Sequence, residues 1–386
     1  MYIERSTSKA ARTLSSTLYQ QAQLGSTTSD GKLPCVLRFR DPRSAHHLAG
    51  VTHHTRLIDY YARTTQQASE HDATLAKCRY RLDNSTSSTL TLSDSRILGY
   101  AQYSSSSPTA YTFFYVHGWP ASRVEGTFLD LAAKRHNIRL ICVDRPGMGL
   151  SSPHPTRTIL SHAHDIDHLA QHLLVERYGV IGVSGGGPYA LACAYALPAN
   201  KLDVVSLVYS LGPPDIGYWG MHPLNYLGWT YSPHYFPLFT RWWFSREPGA
   251  RLDLSDEERV NMMMRDFEKS KEKMHPKDAK LFGDVDFWKV HLRRSNDVFA
   301  QGMDGFMQDM KLLASDPGFR IEDIRKDLKV QLWYGKLDGN VPLRHGEGIA
   351  RRLGHGADLR VKEDDTHASI FFDWRDEILA EMVKAM

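Results

Sequence analysis

Residues 178–188 read Tyr-Gly-Val-Ile-Gly-Val-Ser-Gly-Gly-Gly-Pro. The first six form a continuous apolar run, as expected of a strand buried on both faces. Gly187-Pro188 then opens a helix expected over roughly 187–197, with proline at a position where its missing N–H costs nothing. Between strand and helix stands Ser184, flanked as Gly182-Val183-Ser184-Gly185-Gly186. In this context the glycines have a steric purpose. The serine sits on a tight, strained turn, and side chains at the flanking positions would collide with the neighbouring strand and helix. The helix N-terminus behind Ser184 carries partial positive charge suited to a developing oxyanion.

Outward from this turn, strands alternate with helices. Thr89–Leu92 and Ile97–Tyr103 alternate like a hairpin with Asp94-Ser95 near its turn, and Tyr111–Val116 is another apolar run. A helix is expected at 124–135, a strand at Arg139–Val143, a helix near 162–176, and a strand at Val204–Val208 after the helix that follows Ser184. Val330–Tyr334, Asp358–Val361 and a helix after Ile370 resume the pattern. Such alternation predicts an α/β, doubly wound, mostly parallel sheet. Between 214 and 325 the alternation stops and the sequence becomes helical and aromatic, with five of the eight tryptophans. The expected organisation is a core over 86–213 and 326–386, and a helical cap insertion over 214–325. Residues 1–85 read as a poorly ordered, Ser/Thr-rich, basic extension.

A serine hydroxyl needs a base, and the base an orienting carboxylate. Of the nineteen histidines, His367 alone lies between the last strand and the last helix, in a polar loop. His345 and His355 fall in or near the preceding helix, where a solvated surface role is expected. The acid is expected after the strand that ends at Gly335, which selects Asp338; Asp215 is the fallback, and an Asx turn is the competing role for Asp338. Two backbone donors are expected to form an oxyanion hole, the N–H of Gly185 and that of Trp119 in the turn His117-Gly118-Trp119-Pro120. Trp119 and Tyr189 are the candidate substrate-binding side chains.

His117–Pro120, Asp144-Arg145-Pro146-Gly147-Met148-Gly149-Leu150-Ser151, the Ser184 turn, Gly335–Asp338 and His367 together resemble the ordered motif set of the α/β-hydrolase fold superfamily. The resemblance spans about 88–386 and implies an eight-stranded sheet and an esterase-like mechanism. Epoxide hydrolases and haloalkane dehalogenases share the His-Gly-x-Pro turn but use an aspartate nucleophile, whereas this chain has Ser184. The expected function is a serine hydrolase cleaving an ester or related acyl bond of a small, apolar substrate through an acyl-enzyme, with no cofactor and no metal. Acyl transfer to an alcohol, carbon–carbon bond hydrolysis or a lyase reaction could use the same three residues. A ligand-binding protein on this scaffold is the alternative of another class.

Two other motifs are set aside. His162-Ala163-His164-Asp165-Ile166-Asp167-His168 nearly matches a zinc-hydrolase run, but its helical period puts Ile166, Leu169, Ala170, Leu173 and Leu174 on one face and His164, His168 and His172 on a wet stripe. Asp144–Ser152 is glycine-rich yet lacks the Lys-Ser/Thr of a phosphate loop. With a net charge of +3, no nucleic-acid partner is expected. No run reaches the ~20 apolar residues of a membrane span. The four cysteines show no paired spacing, which fits an intracellular, cytoplasmic protein. Residues 1–80 carry eleven Lys/Arg against six Asp/Glu, and the start, with Arg5, Lys9 and Arg12 among hydroxyl residues, also fits a mitochondrial transit peptide.

Overall fold

A computed structural model describes residues 77–386. The short helices expected near 7–22 and 54–70, and the basic start, lie outside the described residues. Eight strands form one sheet: β1 (Ser87–Thr91), β2 (Ile97–Ser104), β3 (Tyr111–Val116), β4 (Ile138–Val143), β5 (Tyr178–Val183), β6 (Leu202–Val208), β7 (Lys329–Gly335) and β8 (Ala357–Lys362). Their order is β1-β2-β4-β3-β5-β6-β7-β8. β2 pairs antiparallel with β1 and β4, and every other pairing is parallel.

Helices cover both faces of this sheet, which is why β5 is buried along its whole length. One face packs on α1 (Asp130–Arg135) and α11 (Ser369–Ala385), with Phe113, Tyr115, Ile181, Trp333 and Leu379 in a common core. The other packs on α2 (Ser161–His172), α3 (Gly187–Ala196) and α10 (Arg344–Leu353), through Phe114, Val180, Leu191, Leu332 and Ile349. Between β6 and β7 run six helices: α4 (Pro223–Tyr235), α5 (Pro237–Phe244), α6 (Asp256–Ser270), α7 (Pro276–Phe282), α8 (Val285–Phe299) and α9 (Asp304–Leu313).

Four expectations need correction. Residues 77–85 are not a loose extension. Leu82 is buried, the Arg79 N–H donates to Asp286 Oδ2 at 3.1 Å, and Arg293 of α8 donates to Leu82 O and Asn84 Oδ1. Cys78, Tyr80 and Leu82 pack on the core at alternate positions, a run too short to stand out from the polar residues around it. The helix expected at 124–135 is a 3₁₀ stretch, Arg123–Leu129, followed by α1. Its Gly126 lies so close to β4 that a Cβ there would stand 2.1 Å from Cys142 Sγ. α2 stops at His172, and Leu174, expected on its buried face, takes φ +54° and is exposed. His345 is not a surface residue: it is wholly buried, and its Nδ1 accepts the Gly212 N–H at 3.1 Å. The His355 side chain lies outside the described ones.

Candidate active site

Ser184 follows β5 directly and holds φ at +50°, a region that costs a non-glycine residue on the order of 1–3 kcal/mol. The surrounding glycines leave no alternative packing. A Cβ on Gly182 would lie 2.6 Å from Ala190 Cβ in α3, and one on Gly186 would lie 2.2 Å from the Val116 carbonyl oxygen at the end of β3. The Ser184 carbonyl accepts the Leu211 N–H at 2.9 Å. The nucleophile candidate is thereby pinned to the segment after β6.

Asp338 follows β7 and His367 follows β8, so both stand at the same sheet edge as Ser184. His367 Nδ1 lies 2.7 Å from Asp338 Oδ2. A carboxylate only accepts, so Nδ1 is the donor of this pair, and in the neutral ring Nε2 is then the acceptor for a substrate-side proton. The other oxygen, Oδ1, accepts the N–H groups of Asn340 and Val341, each at 2.8 Å. The Asx turn and the histidine pairing therefore coexist, one oxygen each. The Asp338 side chain is fully enclosed, whereas His367 keeps 23 % of its side chain accessible. Asp215, the fallback acid, is exposed and forks with Arg352 at 2.8 and 3.1 Å.

Tyr209, immediately after β6, was not expected at the site. Its ring lies 4.3 Å from that of His367, tilted by 55°. It too takes a left-handed backbone, φ +37°. Tyr209 packs on the base, while Leu211 two residues on holds the Ser184 carbonyl. One short segment thus touches both.

The turn after β3 is clamped from two directions. Glu125 Oε2 accepts the Gly118 N–H at 2.8 Å and the Tyr115 hydroxyl at 3.0 Å, and its other oxygen pairs with Arg294 of α8. Arg145 donates to the carbonyls of His117 and Gly118 at 2.6 and 2.8 Å. The Gly118–Trp119 peptide has its C=O drawn to Arg145, and in a trans peptide the Trp119 N–H points the opposite way. A Cβ on Gly185 would lie 3.2 Å from Trp119 N, so the two expected donors are neighbours. His117 is wholly buried; burial, and Arg145 beside it, push its pKa well below the usual histidine value.

Tyr189 stands elsewhere. It is fully buried and its hydroxyl donates to Asp309 Oδ1 at 2.5 Å, leaving it no surface for a substrate. The cause is a charge cluster: Asp309 of α9 also receives Arg145 and, at 3.0 Å, Arg157. Burial would raise the Asp309 carboxyl, yet Arg145 and Arg157 hold it below the usual range. The Trp119 ring packs against Trp229, Phe244 and Phe306, all from the segment between β6 and β7. Arg145 could have been suspected from its place in Asp144-Arg145-Pro146-Gly147. Nothing in the sequence marks Glu125, Tyr209 or Asp309.

Among the described residues no group of three or more His, Cys, Asp or Glu converges to hold a metal ion, and no helix is long and apolar enough to cross a membrane. His164, His168 and His172 are all exposed.

Among curated proteins, none matches this chain. Similar solved structures include an esterase from Exiguobacterium antarcticum (19 % identity, TM-score 0.50, 77 % of this chain and 98 % of that one). A hydrolase from Pseudomonas aeruginosa PA01 is 17 % identical with a TM-score of 0.53, over 78 % of this chain and all of that one. A structure from a study of carboxylesterases of the thaumarchaeon Nitrososphaera gargenis is 18 % identical with a TM-score of 0.52, over 78 % and 100 %. At such identities these likenesses speak for the fold alone. The model of the alpha/beta hydrolase family matches residues 113–381, well over half of the sequence, from within β3 to within α11. By that match this chain belongs to the alpha/beta hydrolase family.

Proposed function

We propose that the protein is a serine hydrolase acting on an ester or related acyl bond. Ser184 is the nucleophile, His367 the general base and Asp338 its orienting acid. The observation that carries this reading is the 2.7 Å bond between His367 Nδ1 and the enclosed Asp338 carboxylate, two loops from the Ser184 turn on the same sheet edge. His367 Nε2 takes the Ser184 proton as Oγ attacks the carbonyl carbon. The N–H groups of Gly185 and Trp119 receive the oxyanion. The tetrahedral intermediate then collapses, and His367 passes its proton to the leaving oxygen. Water, deprotonated in turn by His367, cleaves the acyl-enzyme and regenerates the serine. The residues 214–325 act as a cap over this edge, with Trp119 between cap aromatics and the nucleophile.

The test is direct. Ser184→Ala should abolish hydrolysis of short aryl esters and labelling by a fluorophosphonate probe, with the unfolding midpoint close to that of the parent. An unchanged rate or unchanged labelling in that variant ends the assignment.

A further inference from the structure

Ten of the seventeen exposed large apolar side chains among the described residues fall within residues 219–243. They crowd the outer side of the α4–α5 pair. At the corner between the helices, Tyr235, Phe236, Leu238 and Phe239 all face solvent, with Leu238 81 % and Tyr235 71 % exposed. Trp242 and Trp243 continue the face one turn on. The inner side of the same pair is anchored: Thr240 and Pro233 are buried, and Trp229 and Phe244 pack on Trp119. Scattered exposed leucines need no explanation, but a contiguous patch of this kind marks a surface that meets something apolar.

Charge says what that something is. Residues 216–246 contain no Asp or Glu, while they contain Arg241 and Arg246. Arg246 lies over the Trp242 ring at 4.0 Å, and Arg241 pairs with Asp304, which lies on α9. The next acid along the chain, Glu247, lies just beyond the patch. An acid-free helix pair rich in Trp, Tyr and Phe with arginines at its edge has the chemistry of the water–lipid boundary. There aromatic rings sit at headgroup depth and cations meet anionic lipid. A protein partner of ordinary composition would be met by a rim of both charge signs, whereas α4 and α5 themselves carry no acid and Asp304 beside them is paired with Arg241.

We infer that the outer face of α4 and α5, centred on Tyr235–Phe239, docks the protein onto the surface of a lipid bilayer containing anionic lipid, without spanning it. The half-buried rings of Trp229 and Phe244 beneath that face touch Trp119, so docking sets the bilayer against the cap side of the candidate active site.

Flotation of the full 386-residue chain with vesicles tests this without any turnover, so its outcome is separate from the hydrolase reading. Phosphatidylcholine vesicles with about one third phosphatidylglycerol should carry the protein, more than phosphatidylcholine alone, and added salt should weaken the binding. Ser184→Ala should bind like the parent. The triple variant Phe236→Ser, Leu238→Ser, Phe239→Ser should lose at least about ten-fold in binding while its circular dichroism and its rate on a soluble ester stay unchanged. Failure of the parent to float with either vesicle overturns the inference. So does equal binding by the triple variant. A parent that floats with neither vesicle and is a dimer dissociated by the same triple substitution would make the face a self-interface instead.

Discussion

Arg145 illustrates how much of the candidate site rests on one side chain. Its guanidinium holds two backbone carbonyls of the turn after β3 and, on its other edge, Asp309 from α9. Lysine could keep the charge but not the fork, because a single ammonium cannot satisfy a carboxylate and two carbonyls in fixed directions. Arg145→Lys should therefore lower kcat for ester hydrolysis by about 10²-fold, in line with loss of one aligned oxyanion donor, with a smaller change in KM. Arg145→Met should cost about 3 kcal/mol in urea unfolding as well, since it leaves two buried carbonyls without their donor and takes one of two cations from the buried Asp309, which keeps Arg157 and Tyr189. Equal kcat in the lysine variant would show that the Gly118–Trp119 peptide is oriented by something else. The residues named from sequence were those whose type and chain order the chemistry constrains: a serine on a glycine turn, an acid after one strand, a histidine after the next. Glu125, Tyr209 and Asp309 escaped notice because a buried charge or phenol earns its place through partners 7 to 169 positions away, and no local spacing encodes such contacts.

The strand β5, its turn and α3 were legible as a unit, since each glycine answers a steric demand set by the same short stretch. Gly186 faces the Val116 carbonyl oxygen, a backbone atom that cannot swing aside. Gly186→Ala should destabilise the protein by on the order of 3 kcal/mol or prevent folding, whereas Gly339→Ala, with nothing within 4 Å of its Cβ, should stay within about 0.5 kcal/mol of the parent. Comparing the two in chemical unfolding separates close packing from a general glycine effect, and similar losses would contradict it. The helices between β6 and β7 were readable as helices but not as individuals. α6 has a clear start, because the Ser255 hydroxyl caps the Glu258 N–H and the Glu258 carboxylate returns to the Ser255 N–H. The 3₁₀ stretch 123–129 begins on the same Ser-x-x-Glu pattern at 122–125, and the Ser122 hydroxyl accepts the Val124 N–H at 3.4 Å, but the Glu125 carboxylate turns away to the Gly118 N–H and Arg294. Its shape follows from Asp144, which accepts the Arg123 N–H at 2.7 Å, and from the close approach of Gly126 to β4.

At the scale of the whole molecule, the doubly wound sheet encloses several histidines that it keeps neutral, and this gives the fold an acid limit. His117, His162 and His345 are all buried, and burial lowers each below its usual value, His162 and His345 to about 4. In the unfolded chain they titrate near the ordinary value of about 6.5. Below that pH the unfolded state binds protons the folded state refuses, so stability present at neutral pH is lost as pH falls toward 4, by up to about 1.4 kcal/mol per pH unit for each histidine. The Asp309 carboxyl is shifted in the same direction and its contribution is likewise lost as pH falls, but over a lower window, beneath about pH 4, so the two contributions separate. His345 offers a clean test because its role is geometric: Nδ1 accepts the Gly212 N–H, and a proton there would set donor against donor. In His345→Asn the amide oxygen can take over as acceptor with no group left to titrate. Urea unfolding of parent and variant between pH 7 and 4.5 should then diverge, the parent losing stability more steeply by about one proton's worth, or ~1.4 kcal/mol per pH unit below 6. Parallel curves would mean that His345 already carries a proton in the folded protein, and that the Gly212 N–H is held by another acceptor.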